Sequence, residues 1–319
     1  MAAQIRVTHL PAITPSFVEL LGFSDLSRRY GRAMTSSLRD QSTDGPNAHV
    51  PTLIALASRS ASSSLPSDEF LASTLHALRV MVFPELGQAD EAPTQIAARV
   101  IDGFRSMIGA VAKVSQSGEA ERWLNAFLRQ IPAVCELLSD DVRSAYEGDP
   151  AATGTIEVAA CYPGIRALFV YRFAHVLVGI GVPILPRMMS EFAHRETGID
   201  IHPAAQIGAA VFIDHGTGVV IGETAVIGDR CRIYQGVTLG AKSFDREPDG
   251  SMRRGYKRHP TLESDVVVYA GATILGGETV IGRGSVVSGG VFLTQSVPAG
   301  HIVAGPALQL RVRSMGGGL

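Results

Sequence analysis

From Asp200 to Leu239 an aliphatic side chain returns at every sixth position. Ile201, Ile207 and Ile213 begin the series, and Ile221, Ile227, Ile233 and Leu239 continue it after a slip of two residues. Four positions beyond most of them stands a smaller residue: Ala205, Val211, Thr217, Ala225, Cys231 and Val237. A helix repeats every ~3.6 residues and a strand every ~2, so neither accommodates this spacing. A parallel β-helix of short flat sides does, because every sixth side chain then turns inward and stacks on the coil above. The slip falls on Ile213-Asp214-His215-Gly216-Thr217-Gly218. A break in a strict repeat is where such a scaffold can hold a functional group outward.

The repeat pauses at Gly240, and residues 241–260 are charged and poor in apolar side chains, so they are expected to protrude as a loop. The period resumes at Val268 and Ile274 and, after one extra residue, continues at Ile281, Val287 and Leu293. Before residue 200 glycine is sparse and the apolar spacing is helical. Helices are expected at Ser16–Arg39, behind a Ser16 cap with Glu19 three residues on, and at about 67–83, 92–115, 119–137, 139–147, 164–182 and 185–196. Asp140–Glu147 reads as a short polar helix, and the serine-rich run Ser58–Ser64 as a loop. The expected organisation is an α-helical N-terminal domain over 1–196, a parallel β-helix over 197–308 with the loop 241–260, and a C-terminal tail over 309–319.

Charge excludes some partners. With 28 basic and 30 acidic residues the net charge is −2, which gives no footprint for nucleic acid or an anionic membrane. Three cysteines, Cys135, Cys161 and Cys231, make no disulfide framework and suit reduced thiols. No Cys/His cluster has zinc spacing, and no phosphate loop or dinucleotide fingerprint occurs, so no metal and no resident cofactor are expected. The N-terminus lacks a signal-peptide pattern. The most apolar window, Ala167–Pro186, is broken by Arg172 and His175 and reads as a buried helix. A cytoplasmic location is the expectation.

The flat faces of one β-helix offer shallow clefts, whereas prisms packed side by side enclose grooves. A site at a subunit interface in a closed cyclic oligomer is therefore expected. His215 is the candidate general base, since imidazole accepts a proton near neutral pH and a hydroxyl must lose one before it attacks an acyl group. A carboxylate should orient the ring. Asp214 is adjacent, so on an extended segment its side chain should point elsewhere. Asp200, fifteen residues earlier and close to one coil away, is the better orienter. A surface histidine in a glycine-rich turn remains the alternative. His259, with Arg258 before it, returns the chain to the β-helix where a cation can hold a carboxylate; a solvated loop base is the competing reading. Arg253, Arg254 and Lys257 suit either an anionic ligand or solvent. His202 reads as structural, and His175, His194 and His301 as packing or surface residues.

With these residues in hand the chain resembles the serine acetyltransferases of the hexapeptide-repeat acyltransferase superfamily over about 145–308. The resemblance rests on Asp200–Gly208, on Ile213–Ile227 with its Asp-His-Gly-Thr-Gly and Gly-Glu-Thr-Ala-Val-Ile runs, on Gln235–Gly240 and on Arg258-His259-Pro260. Asp149-Pro150-Ala151 and Tyr162–Leu168 resemble the family's leading helix. The resemblance implies a left-handed β-helix that moves acetyl from acetyl-CoA to the hydroxyl of L-serine, a step of cysteine biosynthesis. It implies His215 as base with Asp200, Asp149 and Asp214 on the amino group and hydroxyl of serine, and Arg258 and His259 as cations on its carboxylate. Acetyl-CoA would lie against Gly240, Ala241, Ala270 and Gly289. Trimers, or hexamers paired through the N-terminal helices, are implied, as is an O-acetylserine sulfhydrylase partner engaged through the tail, here ending at Leu319. The loop 241–260 is longer than the family's common form. A sugar or homoserine acceptor, or a scaffold without activity, are the competing functions.

Overall fold

The computed structural model describes residues 65–87 and 91–305, within the compact unit Ser63–Leu319. The helix expected at Ser16–Arg39, the Ser58–Ser64 loop and the tail over 309–319 lie outside the described residues. The helices are α1 (Asp68–Val82), α2 (Pro93–Val114), α3 (Ala120–Gly148), α4 (Thr155–Cys161), α5 (Pro163–Gly179) and α6 (Leu185–Thr197). Ser67 caps α1, its hydroxyl accepting from the Phe70 N–H.

The two helices expected at 119–137 and 139–147 are one. α3 runs 29 residues through Pro132, and beyond that proline its buried residues are Val134, Leu138, Asp141, Val142 and Ala145, a continuous helical stripe with a carboxylate in an apolar slot. Asp141 is therefore no part of a polar face. Arg172 of α5 grips it with two bonds, Nε to Oδ2 at 2.5 Å and Nη2 to Oδ1 at 2.7 Å. α4 is an additional helix, too short for its period to register in the sequence.

Among the described residues fourteen short strands follow. The first coil is β1 (Asp200–Ile201), β2 (Gln206–Ile207) and β3 (Phe212–Ile213); the second is β4 (Val220–Ile221), β5 (Val226–Ile227) and β6 (Arg232–Ile233). Then come β7 (Thr238–Gly240), β8 (Thr261–Leu262) and β9 (Val267–Val268), β10 (Thr273–Leu275), β11 (Val280–Ile281) and β12 (Val286–Val287), and finally β13 (Phe292–Leu293) and β14 (Ile302–Val303). They stack in parallel as three sheets: face one β1-β4-β7-β10-β13, face two β2-β5-β8-β11, face three β3-β6-β9-β12-β14. Ile201, Ile221, Leu239, Ile274 and Leu293 lie in register on face one, and Ile213, Ile233, Val268, Val287 and Val303 on face three. Most of these side chains are buried in one core.

Two details of the repeat differ from expectation. Thr217 is exposed, and Val219 takes the inward place instead. The coil also resumes one side earlier than Val268, because Leu262 is fully buried and pairs with Ile227 and Ile281. Leu262 escapes the sequence pattern since the loop hides its phase.

α5 joins the helical and coiled parts and is buried all round for that reason. Ala167, Leu168 and Tyr171 face the coil core, while Phe169, Val170, Phe173, Ala174 and Leu177 face the helices. Its polar groups bond the first coil: Tyr171 Oη donates to the Ala205 carbonyl at 2.6 Å, and Arg172 Nη2 to that of Gly208 at 2.8 Å. Gly164 packs so closely on Ile213 that a Cβ there would overlap its carbonyl oxygen. The start of α5 is thus fixed directly behind Asp214 and His215. Among the described residues no helix is long and apolar enough to cross a membrane, and no group of three or more His, Cys, Asp or Glu is placed to hold a metal ion.

Candidate active site

The slip in the repeat is a two-residue bulge. The Asp214 N–H bonds to the Ile233 carbonyl as Tyr234 does to Val268 one coil on, and the Gly236 N–H bonds to Thr217 as Gly271 does to Gln235. Asp214 thus stacks on Tyr234 and Thr217 on Gln235, leaving His215 and Gly216 as the extra pair. His215 sits at φ 56°, in the left-handed region that costs a non-glycine residue about 1–2 kcal/mol. Its side chain is 70% exposed. The break of the regular scaffold thus presents an imidazole to solvent on a left-handed turn, within reach of an incoming ligand.

Asp214 approaches it, Oδ1 lying 3.8 Å from His215 Nδ1. The expectation that Asp214 points away is therefore corrected: the left-handed turn at 215 folds the two side chains together. Asp200 lies on the same edge in the layer below, in register with Val220, and is not within 4.0 Å of the ring in this single chain. Asp149, just past the end of α3, joins the edge; its carboxylate takes the Ala151 N–H at 2.8 Å and the Tyr162 hydroxyl at 2.5 Å. The Tyr162 bond, with the Ala151 amide and the charge of His215, holds Asp149 below the usual carboxylate range. The same bond pushes the Tyr162 phenol up to about 12, with Glu157 and Asp214 adding to the effect. Asp149, Asp214, Glu157, Tyr162 and His215 thus converge where face three turns into face one.

Arg258 and His259 lie elsewhere, where face one turns into face two. There Thr224 anchors the returning loop: its hydroxyl accepts from the N–H groups of Arg258 (2.9 Å) and His259 (3.1 Å), and its carbonyl from Lys257 Nζ at 2.7 Å. Arg258 pairs with Glu223. His259 is only 7% exposed and packs over Gly222, where a Cβ would lie 2.7 Å from its Cγ. Burial, then the charge of Arg258, lowers its pKa from 6.5 to about 4. Its Nδ1 accepts the Thr224 N–H at 3.1 Å, which leaves the proton on Nε2. His259 is therefore a neutral donor and not the cation expected from the sequence.

This makes a pH prediction. A histidine whose folded pKa lies below its unfolded one favours the fold when neutral, so its contribution is complete above pH 6.5 and lost as pH falls toward about 4. Urea midpoints of the protein should fall through that window, and His259→Gln should flatten the slope there. An unchanged slope refutes the assignment.

The remaining candidates divide between the two edges. Ala270 and Gly289 stack above Thr217 and Gln235, with the Gly290 N–H on the Ala270 carbonyl at 2.9 Å, so they share the edge of His215. Gly240 and Ala241 begin the loop and share the edge of Arg258. Arg253 lies within 4.0 Å of Asp245 and Glu247 and over the Tyr256 ring, and Lys257 bonds to backbone. Of the other histidines, His202 Nδ1 accepts from Ala204 N–H and His175 Nδ1 meets the Pro203 carbonyl. Cys231 is fully buried, its thiol pushed up to about 11 by burial, which makes it no nucleophile. Tyr162, Glu157, Glu223 and Thr224 were not singled out from the sequence as site residues; tertiary packing alone brings them in.

Relatives give this arrangement a family. The chain is 45% identical over 276 residues to a protein named "Serine acetyltransferase, plasmid" from Synechococcus elongatus, covering 80% of this chain and 86% of that one. It is 47% identical over 165 residues to the serine acetyltransferase of Mycobacterium tuberculosis, covering 52% and 68%. With the Synechocystis protein of that name the identity is 55% over 136 residues, about half of that protein's length. Among solved structures, serine acetyltransferase 1 of Entamoeba histolytica in complex with L-cysteine matches with TM-score 0.67 and 39% identity over 72% of this chain and 85% of that one. The Neisseria gonorrhoeae enzyme in complex with serine matches at TM-score 0.52 and 26% identity, over 73% and 95%. The chain matches no protein-family model. Fold and relatives together define an acyltransferase of hexapeptide-repeat type. The chain belongs to the serine acetyltransferase family.

Proposed function

We propose that this enzyme moves the acetyl group of acetyl-CoA to the hydroxyl of L-serine, giving O-acetyl-L-serine and CoA, in a groove between the coils of two subunits wound left-handed. One observation carries the reading: the residues a serine zwitterion requires stand on two different edges of the prism, with a whole sheet between them. His215, Asp149 and Asp214 occupy one edge, and Arg258 and His259 the other. Setting one edge of a subunit against the other edge of its neighbour brings them to face each other, and a three-fold ring does so with every copy equivalent. Gly240 and Ala241 then face Ala270 and Gly289 across the same groove, where the extended pantetheine of acetyl-CoA lies. Layers about 4.8 Å apart let that chain run along the stack toward His215. Pairing of trimers through the helices would make a hexamer.

In this groove Asp149 and Asp214 receive the ammonium group of serine. The Arg258 guanidinium, which gives one of its five donors to Glu223, and the Nε2–H of His259 receive its carboxylate. Held at both ends, the substrate presents its hydroxyl to His215. The imidazole, aligned by Asp200 from the layer below once the ring swings on its exposed side, takes the hydroxyl proton as the oxygen attacks the thioester carbonyl. The tetrahedral adduct expels the CoA thiolate, which recovers the proton from the imidazolium. Acetyl passes directly between bound substrates, since no nucleophile of the protein is needed. The gathering of carboxylates at His215 favours an amino acid over a sugar, which offers no ammonium group.

Mixing inactive subunits tests the shared groove. His215→Ala and Arg258→Ala, each deficient alone, should on co-assembly regain about a quarter of wild-type activity, because one in four neighbouring pairs then joins two intact edges. Serine-dependent release of thiol from acetyl-CoA is the readout. No recovery in confirmed mixed oligomers overturns the shared groove, and a wild-type enzyme that ignores L-serine overturns the substrate.

A further inference from the structure

Tyr162 has no task in the reaction just described, and it lies outside the six-residue repeat. Its placement is nonetheless tightly determined. Pro163 begins α5, and Gly164 rests on the Ile213 carbonyl, so the turn carrying Tyr162 is pinned beside the bulge that carries Asp214 and His215. The ring packs with a small apolar cluster of Val142, Ala145, Val158 and Phe212. Its hydroxyl donates to Asp149 Oδ2 at 2.5 Å while the Ala151 N–H donates to Oδ1 at 2.8 Å. Asp149 follows the last turn of α3 and is half-buried, and these two bonds hold its carboxylate at both oxygens. Each oxygen so clamped still has a lone pair for an incoming donor.

We infer that Tyr162 is a positioning residue: through Asp149 it fixes the ammonium group of the acceptor and so makes the enzyme prefer amino acids to hydroxyl compounds that lack one. The inference rests on the reading of Asp149 given above. The phenol does not itself move protons in the reaction, because with its pKa up at about 12 it stays protonated at neutral pH. Its work is geometric and electrostatic. A charge-assisted hydrogen bond of this kind restricts the rotation of a half-buried acid and lowers its proton affinity together.

Tyr162→Phe keeps the ring and its packing and removes only the donor. The expected result is a KM for L-serine raised ~10-fold, the scale set by losing one hydrogen bond to a charged group, with kcat within about twofold and KM for acetyl-CoA unchanged. The acid limb of kcat/KM for serine should move to higher pH, because Asp149 loses the bond that holds its pKa down. In an Asp149→Asn background the same change should add almost nothing, since the two act as one unit. A serine KM that stays put in Tyr162→Phe overturns the inference, as do effects that simply add in the double variant. If the wild-type enzyme acetylates another amino acid in place of serine, the same comparison is made on that substrate and the serine reading alone fails. A wild-type enzyme that accepts only compounds without an ammonium group sinks both.

Discussion

Alanine at position 215 should lower turnover about 10²–10⁴-fold, the range that removal of a general base costs, while the protein stays folded and assembled. The side chain is 70% exposed, so its loss removes little packing. What remains of the rate would come from substrate alignment in the groove. The left-handed backbone at φ 56° offers a control. Asparagine tolerates that conformation better than alanine does, so His215→Asn isolates the lost basicity from any relaxation of the bulge. Both variants should bind acetyl-CoA as the parent does. If either retains more than about a tenth of wild-type turnover, outside the range expected for a lost base, proton removal by His215 is refuted.

The second large effect is on stability. Breaking the Asp141–Arg172 pair from one side, with Arg172→Leu or Asp141→Ala, should cost about 3–5 kcal/mol, since the partner is left charged and buried. Their side chains are 0% and 3% exposed, and each also serves backbone: Asp141 Oδ1 takes the Val211 N–H at 3.0 Å, and Arg172 holds the Gly208 carbonyl. Burial pushes the Asp141 carboxyl upward, and the guanidinium and the Val211 amide oppose that push. Replacing both residues by Met and Leu should destabilise far less than either single change, because no orphan charge remains. Urea titrations of the three variants supply the comparison; a single variant that unfolds with the parent midpoint refutes it. The pair ties α3 to the first coil, and Asp149 follows directly on the last turn of α3. Serine binding should therefore weaken along with stability.

These expectations differ in how far the chain itself announced them. The six-residue spacing of Ile201 through Leu239 is a property of neighbours along the chain, and it marks an inward row whatever the rest of the molecule does. His215 stood out for the same reason, as part of a local interruption in a local pattern. Asp149 came from the family resemblance alone, since nothing in its own surroundings gives it a phase, whereas Arg258 and His259 stood out where the charged loop returns to the coil and the resemblance added the carboxylate of serine. Asp141 was misread because a single carboxylate in a stripe of Val134, Leu138, Val142 and Ala145 looks like the start of a polar face. Only the arrival of Arg172 from 31 residues away makes it a core residue. His259 was misread in charge, because a sequence shows basic neighbours and cannot show that Gly222 lets the ring sink beneath them. The orientation of His215 toward Asp214, and the clamp of Tyr162 on Asp149, likewise arise only from the folded chain.

By itself, the order of residues determined the coil: a period of six, its slip at His215 and its long pause at Gly240 follow from which side chains must leave water, and that is set along the chain. Which side chains face one another was decided only in three dimensions. Stacking at a period of about eighteen residues sorts the corners onto three separate edges, and long-range packing of α3 and α5 sets Asp149 and Tyr162 beside one of them. Such pairings depend on distances between remote segments, a quantity that no local pattern of residues encodes.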